Sequence, residues 1–136
     1  MIVDRDIPTI AEAARQIKAG SLSPTSLVES CLHRIEKHDP VINAFHTVFA
    51  DQAIIDAQLA EKEIKEGNYL GPLHGIPIGL KDVFYLKGHK TTANSRVMAD
   101  FEADEDATVI TRLREAGAIF IGQLNTYEFT LSLIHI

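Results

Sequence analysis

The chain has 136 residues, 13 of them basic and 19 acidic, which gives a formal net charge of −6. Hydrophobic residues make up 46% of the sequence, enough to build a core, so intrinsic disorder is excluded as its overall description. The negative charge is a poor match for nucleic-acid phosphates. No apolar run approaches the roughly 20 residues of a membrane-spanning helix, and residues 1–6 show no secretory signal. With a single cysteine, Cys31, these features predict a cytoplasmic protein that neither crosses nor binds a membrane.

Apolar spacing in the first half of the chain predicts three helices. The first follows a capping box formed by Thr9 and Glu12, and the second follows the Ser-Pro pair at residues 23–24. The Asp-Pro pair at residues 39–40 is expected to end the second helix, because the residue before a proline disfavours helical backbone. The predicted helices cover residues 9–20, 23–39 and 51–67, and residues 41–49 form either a short strand or an apolar connection.

The second half of the chain has a different pattern, which predicts a βαβ unit. A segment punctuated by Gly and Pro ends in an apolar strand over residues 76–80, and residues 118–121 form a second buried strand. Between the strands, residues 82–104 lack periodicity and predict an ordered excursion. A helix then opens with the acidic run 104–106 and ends at Gly117. This succession is typical of an α/β fold with parallel strands.

The common phosphate-binding and metal-binding motifs are absent from the sequence. The segment from Gly75 to Lys81 has the wrong spacing for a phosphate loop and lacks the Gly-Lys-Ser/Thr ending. His33 and His38 are five residues apart, so they do not share a helical face as two metal ligands would. We therefore expect neither a cofactor nor a metal, and we interpret these two histidines as surface residues.

Lys81 is the residue best placed for chemistry. It follows the apolar strand 76–80, at the carboxyl end where α/β proteins place their active sites. Partial burial there would favour the neutral amine, which can act as a base. The commoner arrangement for a lysine at a strand end is an amine that reaches solvent, here paired with Asp82. Position in the sequence leaves both interpretations open.

Ordered motifs continue on both sides of Lys81. They are GPLHGIPIGLKD (71–82), KG (87–88), TTANS (91–95), DEDAT (104–108), AGA (116–118) and GQLNTYEF (122–129), preceded by SLSP (21–24) and INAF (42–45). In order and spacing they resemble the first part of the amidase signature family, and the resemblance covers residues 8–130. Asn94 stands where that family commonly has glycine. Because asparagine tolerates left-handed backbone, we expect the turn to survive.

The resemblance implies a hydrolase of carbon–nitrogen amide bonds with a Ser–cis-Ser–Lys triad. In such a triad a neutral lysine takes a proton from a bridging serine, which activates the nucleophilic serine, and backbone N–H groups stabilise the oxyanion. By its place in the motif, Lys81 corresponds to the catalytic lysine. The family's two serines lie in a later Gly/Ser-rich stretch, so this chain alone is expected to be inactive. The serines that lie outside that motif are Ser21, Ser23, Ser26, Ser30, Ser95 and Ser132.

The resemblance also implies how the chain is organised. We expect a single, incomplete amidase domain over residues 1–136, in which a helical region (1–70) precedes the start of an α/β core (71–130). The core is expected to be a mixed, mainly parallel sheet covered by helices. Residues 131–136 do not resemble the small-residue segment that follows Glu128-Phe129 in the family, and we interpret them as a non-native tail.

Two alternative functions share the same evidence. The A subunit of the tRNA-dependent amidotransferase for Glu-tRNA(Gln) and Asp-tRNA(Asn), which releases ammonia from glutamine, has the same fold. A non-catalytic interaction module could retain only the amidase N-terminus, although Lys81 would then have no role. The expected partner is a small-molecule amide, with no nucleic acid unless the chain belongs to an amidotransferase. The substrate and the oligomeric state do not follow from the sequence.

Overall fold

The order of helices and strands confirms the α/β class. The computed structural model describes residues 7–131. Its elements are α1 (Ile10–Lys18), α2 (Pro24–Ile42), β1 (Phe45–Val48), α3 (Ala50–Lys65), β2 (Pro77–Lys81), α4 (Thr108–Glu115) and β3 (Ile119–Leu124), with 3-10 turns at Arg96–Met98 and Glu128–Thr130. The excursion between β2 and α4 is therefore ordered, as the sequence predicts.

The three strands form one mixed sheet in the order β1-β3-β2. β2 and β3 are parallel, as the βαβ pattern predicts, while β1 runs antiparallel to β3. Segment 41–49, for which the sequence left two interpretations open, thus contains a strand. By pairing with β3, this strand connects the first seventy residues to the later part of the chain. β3 extends to Leu124, three residues beyond the predicted strand, because it is the central strand and pairs on both sides.

Helices pack on both faces of this sheet. On one face, Ile119 and Ile121 of β3 pack with Val28 of α2 and with alanines of α3. On the other face, Phe120 packs with Ile110 of α4. The alternation of side chains along β3 therefore assigns successive residues to opposite layers, and both layers are apolar.

The ends of α1 and α2 show where local sequence rules hold and where they fail. The capping box of α1 is confirmed, with the Glu12 amide donating to the Thr9 hydroxyl at 3.3 Å. The prediction that α2 stops at residues 39–40 is wrong, because the helix continues to Ile42 with Pro40 inside it. Asn43 caps it in left-handed conformation (φ 52°), and the Asp39 carboxylate accepts the amide of Ala44 at 2.7 Å. These bonds offset the one that proline cannot make.

The acidic run before α4 does not lie in the first turn of the helix, as predicted, because α4 begins at Thr108. Asp106 instead accepts the Lys87 amide at 2.7 Å and the Arg114 guanidinium at 2.8 Å. Partial burial alone would raise the pKa of Asp106, but these two donors outweigh it and lower the pKa. The carboxylate thus ties the excursion to the end of α4.

A buried histidine packs against the turn that leads into β3. His74 is 1% exposed; its Nδ1 accepts the Leu70 amide at 3.2 Å, so Nε2 carries the proton of the neutral ring and donates to Glu63, also at 3.2 Å. Gly117 has φ +79°, and a Cβ there would lie 2.5 Å from the His74 ring.

We expect Gly117→Ala to lower the free energy of unfolding by about 3 kcal/mol, because it adds a steric clash to backbone strain. Gly88→Ala is the matched control: φ is +74° there, but nothing lies within 4 Å of the added Cβ. Only the strain, about 1 kcal/mol, should then be lost. Denaturant unfolding of both variants measures the difference, and equal losses would contradict the clash.

Candidate active site

Lys81 lies at the edge of the sheet where the parallel strands end. It is the last residue of β2 and is in register with Leu124, the last residue of β3. Both strands therefore deliver their following loops to the same place. Lys81 lines a cavity of about 350 Å³ together with the first residues after β3, namely Asn125, Thr126 and Tyr127.

The side chain of Lys81 is exposed, so the expectation of partial burial is wrong for the chain as it stands. The physical reason is that β2 is an edge strand, and among residues 7–131 no strand covers its outer side. Within that part of the chain, no hydrogen bond or ion pair engages the Lys81 amine. The amine is thus available to a group that enters the cavity.

Asp82 points away from the Lys81 amine, which excludes the ion pair considered for these neighbours. Its side chain is 1% exposed, and its carboxylate accepts the Thr92 amide at 3.0 Å and the Thr92 hydroxyl at a shorter distance. The Gln123 amide group lies 3.4 Å from the same carboxylate and donates to the Lys90 carbonyl at 2.8 Å. A buried carboxylate requires such donors. Asp82 therefore anchors the TTANS segment to the end of the sheet.

Two loops meet beside this anchor through three hydrogen bonds, which we call the loop clamp. Asn94 donates from its side chain to the Thr126 carbonyl at 2.7 Å. The Ser95 hydroxyl donates to the Glu128 carboxylate, also at 2.7 Å. The Phe129 amide donates to the carbonyl of residue 93 at 2.9 Å. The predicted left-handed conformation of Asn94 is confirmed, with φ 52°. The clamp fixes the loop that forms one side of the Lys81 cavity.

The sequence pattern singles out Lys81 as a candidate, but it does not point to the polar residues that surround it. Thr92, Ser95 and Gln123 are all buried, and Glu128 reaches the site from the loop after β3. The sequence did contain a signal for these residues, since all four lie within the TTANS and GQLNTYEF motifs. The Ser95 hydroxyl donates its hydrogen bond to the Glu128 carboxylate and not to Lys81. Ser132 and the remainder of the tail lie outside the described residues, whereas His33 is exposed, as predicted.

Comparison with known proteins identifies the family. The Amidase family profile matches residues 26–135. The chain is 42% identical over 123 residues to the A subunit of the glutamyl-tRNA(Gln) amidotransferase of Chloroflexus aurantiacus, covering 90% of this chain and 25% of the relative. Native peptide amidase from Stenotrophomonas maltophilia superposes with a TM-score of 0.83 at 33% identity, over 93% of this chain and 26% of the enzyme. A peptide amidase bound to the competitive inhibitor chymostatin gives a TM-score of 0.83 at 34% identity, over 91% and 26% of the two chains.

These matches cover most of this chain but only part of each relative. The chain spans about a quarter of the length of the relatives that it matches. Among residues 7–131, no helix has the length and apolar character needed to cross a membrane. The profile match includes β2, β3 and the loops around Lys81. The chain belongs to the amidase signature family.

Proposed function

We propose that this chain supplies the general base of an amide hydrolase, with Lys81 as the lysine of a Ser–cis-Ser–Lys triad. The observation that carries the proposal is the position of Lys81: its amine lines a cavity at the carboxyl end of β2 and has no hydrogen-bond or ion-pair partner among residues 7–131. In the reaction the neutral amine takes a proton from the bridging serine, which takes one from the nucleophilic serine as that serine attacks the amide carbonyl and the carbonyl π electrons move to oxygen. The carbonyl then re-forms as the C–N bond breaks, the relayed proton goes to the leaving nitrogen, and water hydrolyses the resulting serine ester. The proposal takes both serines from the later Gly/Ser-rich stretch of the family, which has no counterpart among these 136 residues.

The arrangement of Asp82 supports this role. A carboxylate directed at the amine would stabilise the ammonium form, which cannot accept a proton. Here the Asp82 carboxylate is engaged by Thr92 and Gln123 instead. A base also needs the neutral amine to be favoured by burial, so the parts that complete the enzyme would have to cover the exposed side chain.

The more specific alternative is the A subunit of a glutamyl-tRNA(Gln) amidotransferase. The chain is 42% identical to one such protein, whereas it is 33% identical to the peptide amidase. The amide would then belong to glutamine, and the partners would be the other components of a tRNA-dependent complex. A cytoplasmic location is part of either proposal. A non-catalytic interaction module is the least favoured, because it has no use for a cavity-lining lysine that has no partner in the part of the chain that the structure describes.

The test is a chimaera in which the matching segment of the peptide amidase that binds chymostatin is replaced by this chain. We expect the chimaera to hydrolyse a peptide amide, and the isolated 136-residue chain to be at least about 10³-fold slower, because it supplies the base without the nucleophile. Chymostatin binding reports whether the site is assembled, with the parent enzyme as the reference.

Two outcomes would overturn the proposal. A chimaera that binds chymostatin like the parent but does not hydrolyse the amide would show that Lys81 is not a working base in that site. Turnover by the isolated chain that disappears in Lys81→Ala would place the nucleophile within this chain and refute the triad. A parallel chimaera with the Chloroflexus aurantiacus relative, assayed for glutamine hydrolysis, tests the amidotransferase alternative.

A further inference from the structure

The Lys81 cavity has a wall whose position depends on the loop clamp. Thr126 and Tyr127 form this wall together with Asn125, directly after β3. The backbone of Asn125 is held by the Ala44 carbonyl at 2.8 Å. The Thr126 carbonyl is held by Asn94. Directly after Tyr127, Glu128 accepts a hydrogen bond from Ser95. The wall is therefore held by hydrogen bonds both before and after it in the chain.

The two clamped loops concentrate unusual backbone conformations. Within residues 7–131, five residues other than glycine have positive φ, and four of them lie in these loops: Ala93 (48°), Asn94 (52°), Phe129 (47°) and Thr130 (60°). Such conformations cost free energy in residues with a Cβ, most of all in β-branched ones. They persist only where surrounding contacts enforce them, which indicates that the clamp holds the wall in a defined position.

The wall also has an unmet hydrogen-bonding requirement. The hydroxyl of Thr126 is the single buried side-chain polar atom within residues 7–131 that has no hydrogen-bond partner. A buried hydroxyl without a partner is unfavourable. The Thr126 hydroxyl is therefore placed to form a hydrogen bond with a polar group that enters beside it.

We propose that Ser95 and Glu128 are positioning residues of the Lys81 site, because their hydrogen bond holds Thr126 and Tyr127 as the wall that contacts the substrate beside its scissile amide. This inference rests on the proposed function and adds the determinant of substrate binding to it. Neither residue exchanges a proton with the substrate; the pair acts through the loop after β3. A wall of this kind contacts substrate and transition state equally, so it affects KM and not kcat.

The test uses the peptide-amidase chimaera with Ser95→Ala, Glu128→Ala and Glu128→Gln. We expect either alanine to raise KM for the peptide amide and Ki for chymostatin about tenfold, with kcat changed less than about threefold. Glu128→Gln should restore both constants, because its amide oxygen accepts the same bond from Ser95. The double alanine variant should be no worse than either single one. Asp100→Ala, which removes an exposed ion pair with Lys90 in the same excursion, is the control.

Unchanged KM and Ki in both alanine variants would overturn the inference. So would a Glu128→Gln variant as impaired as Glu128→Ala, since charge and not the hydrogen bond would then matter. If Ser95→Ala does not fold, the two Glu128 variants decide, because Glu128 is exposed and outside the core. If the unsubstituted chimaera binds chymostatin without hydrolysing the amide, the proposed function fails, and Ki alone still tests the clamp.

Discussion

Replacing Lys81 by arginine is expected to damage the chimaera almost as much as replacing it by alanine, with each variant losing about 10³-fold or more in kcat/KM for the peptide amide. Alanine removes the base. Arginine keeps the positive charge and much of the length, but its guanidinium does not lose a proton near neutral pH. A residue needed only for its charge would tolerate arginine, so the pair of variants separates the two roles.

Steady-state rates and chymostatin affinity measure this result. The affinity of both variants should stay within a few-fold of the unsubstituted chimaera, which shows that the site is still assembled. Lys62→Arg on α3, where the lysine is 71% exposed, is the control for a generic lysine substitution. An arginine variant that kept most of the activity would make Lys81 a structural cation.

Asp82→Ala is expected to lower the free energy of unfolding of the chain by about 3 kcal/mol. The change leaves two buried donors of Thr92 without their acceptor and weakens the contact with Gln123. The TTANS segment loses its anchor to β2 at the same time. Because the clamp begins within this segment, the wall of the Lys81 cavity should loosen as well.

Denaturant unfolding gives the loss of stability, and amide hydrogen exchange at Thr92 locates it. Asp104→Ala is the matched control, because Asp104 is exposed near the start of α4 and its removal should change stability by less than about 0.5 kcal/mol. Equal stabilities of the two variants, or an unchanged exchange rate at Thr92, would contradict the anchoring role.

Local sequence patterns were sufficient to predict the order of helices and strands and the position of Lys81 at the end of a strand. The apolar stretch 76–80 and the later buried strand could be found from composition, and their parallel pairing follows from the βαβ succession. The predicted end of α2 was wrong because the rule about the residue before a proline takes no account of the hydrogen bond that the Asp39 carboxylate accepts just after the helix. The full length of β3 depends on pairing with β1, a partner more than seventy residues earlier in the chain.

The surroundings of Lys81 could not be predicted because they depend on contacts between distant residues. Ser95 and Glu128 are 33 residues apart, and Gln123 reaches Asp82 across 41 residues. No spacing rule links such pairs. The prediction that Lys81 is partly buried was wrong for a related reason. It assumed that β2 has a neighbouring strand on each side, whereas β2 is the edge strand of the sheet.

Restoring an amine of altered basicity at position 81 tests the central claim most directly. In a chimaera whose other cysteines, including Cys31, are replaced, Lys81→Cys is alkylated with bromoethylamine, which gives a lysine-like amine made less basic by the sulphur atom. If Lys81 is the general base, hydrolysis should return and the acid limb of the kcat/KM profile should move to lower pH. Recovered activity with an unmoved pH profile, or no recovery in a protein that still binds chymostatin, would contradict the assignment.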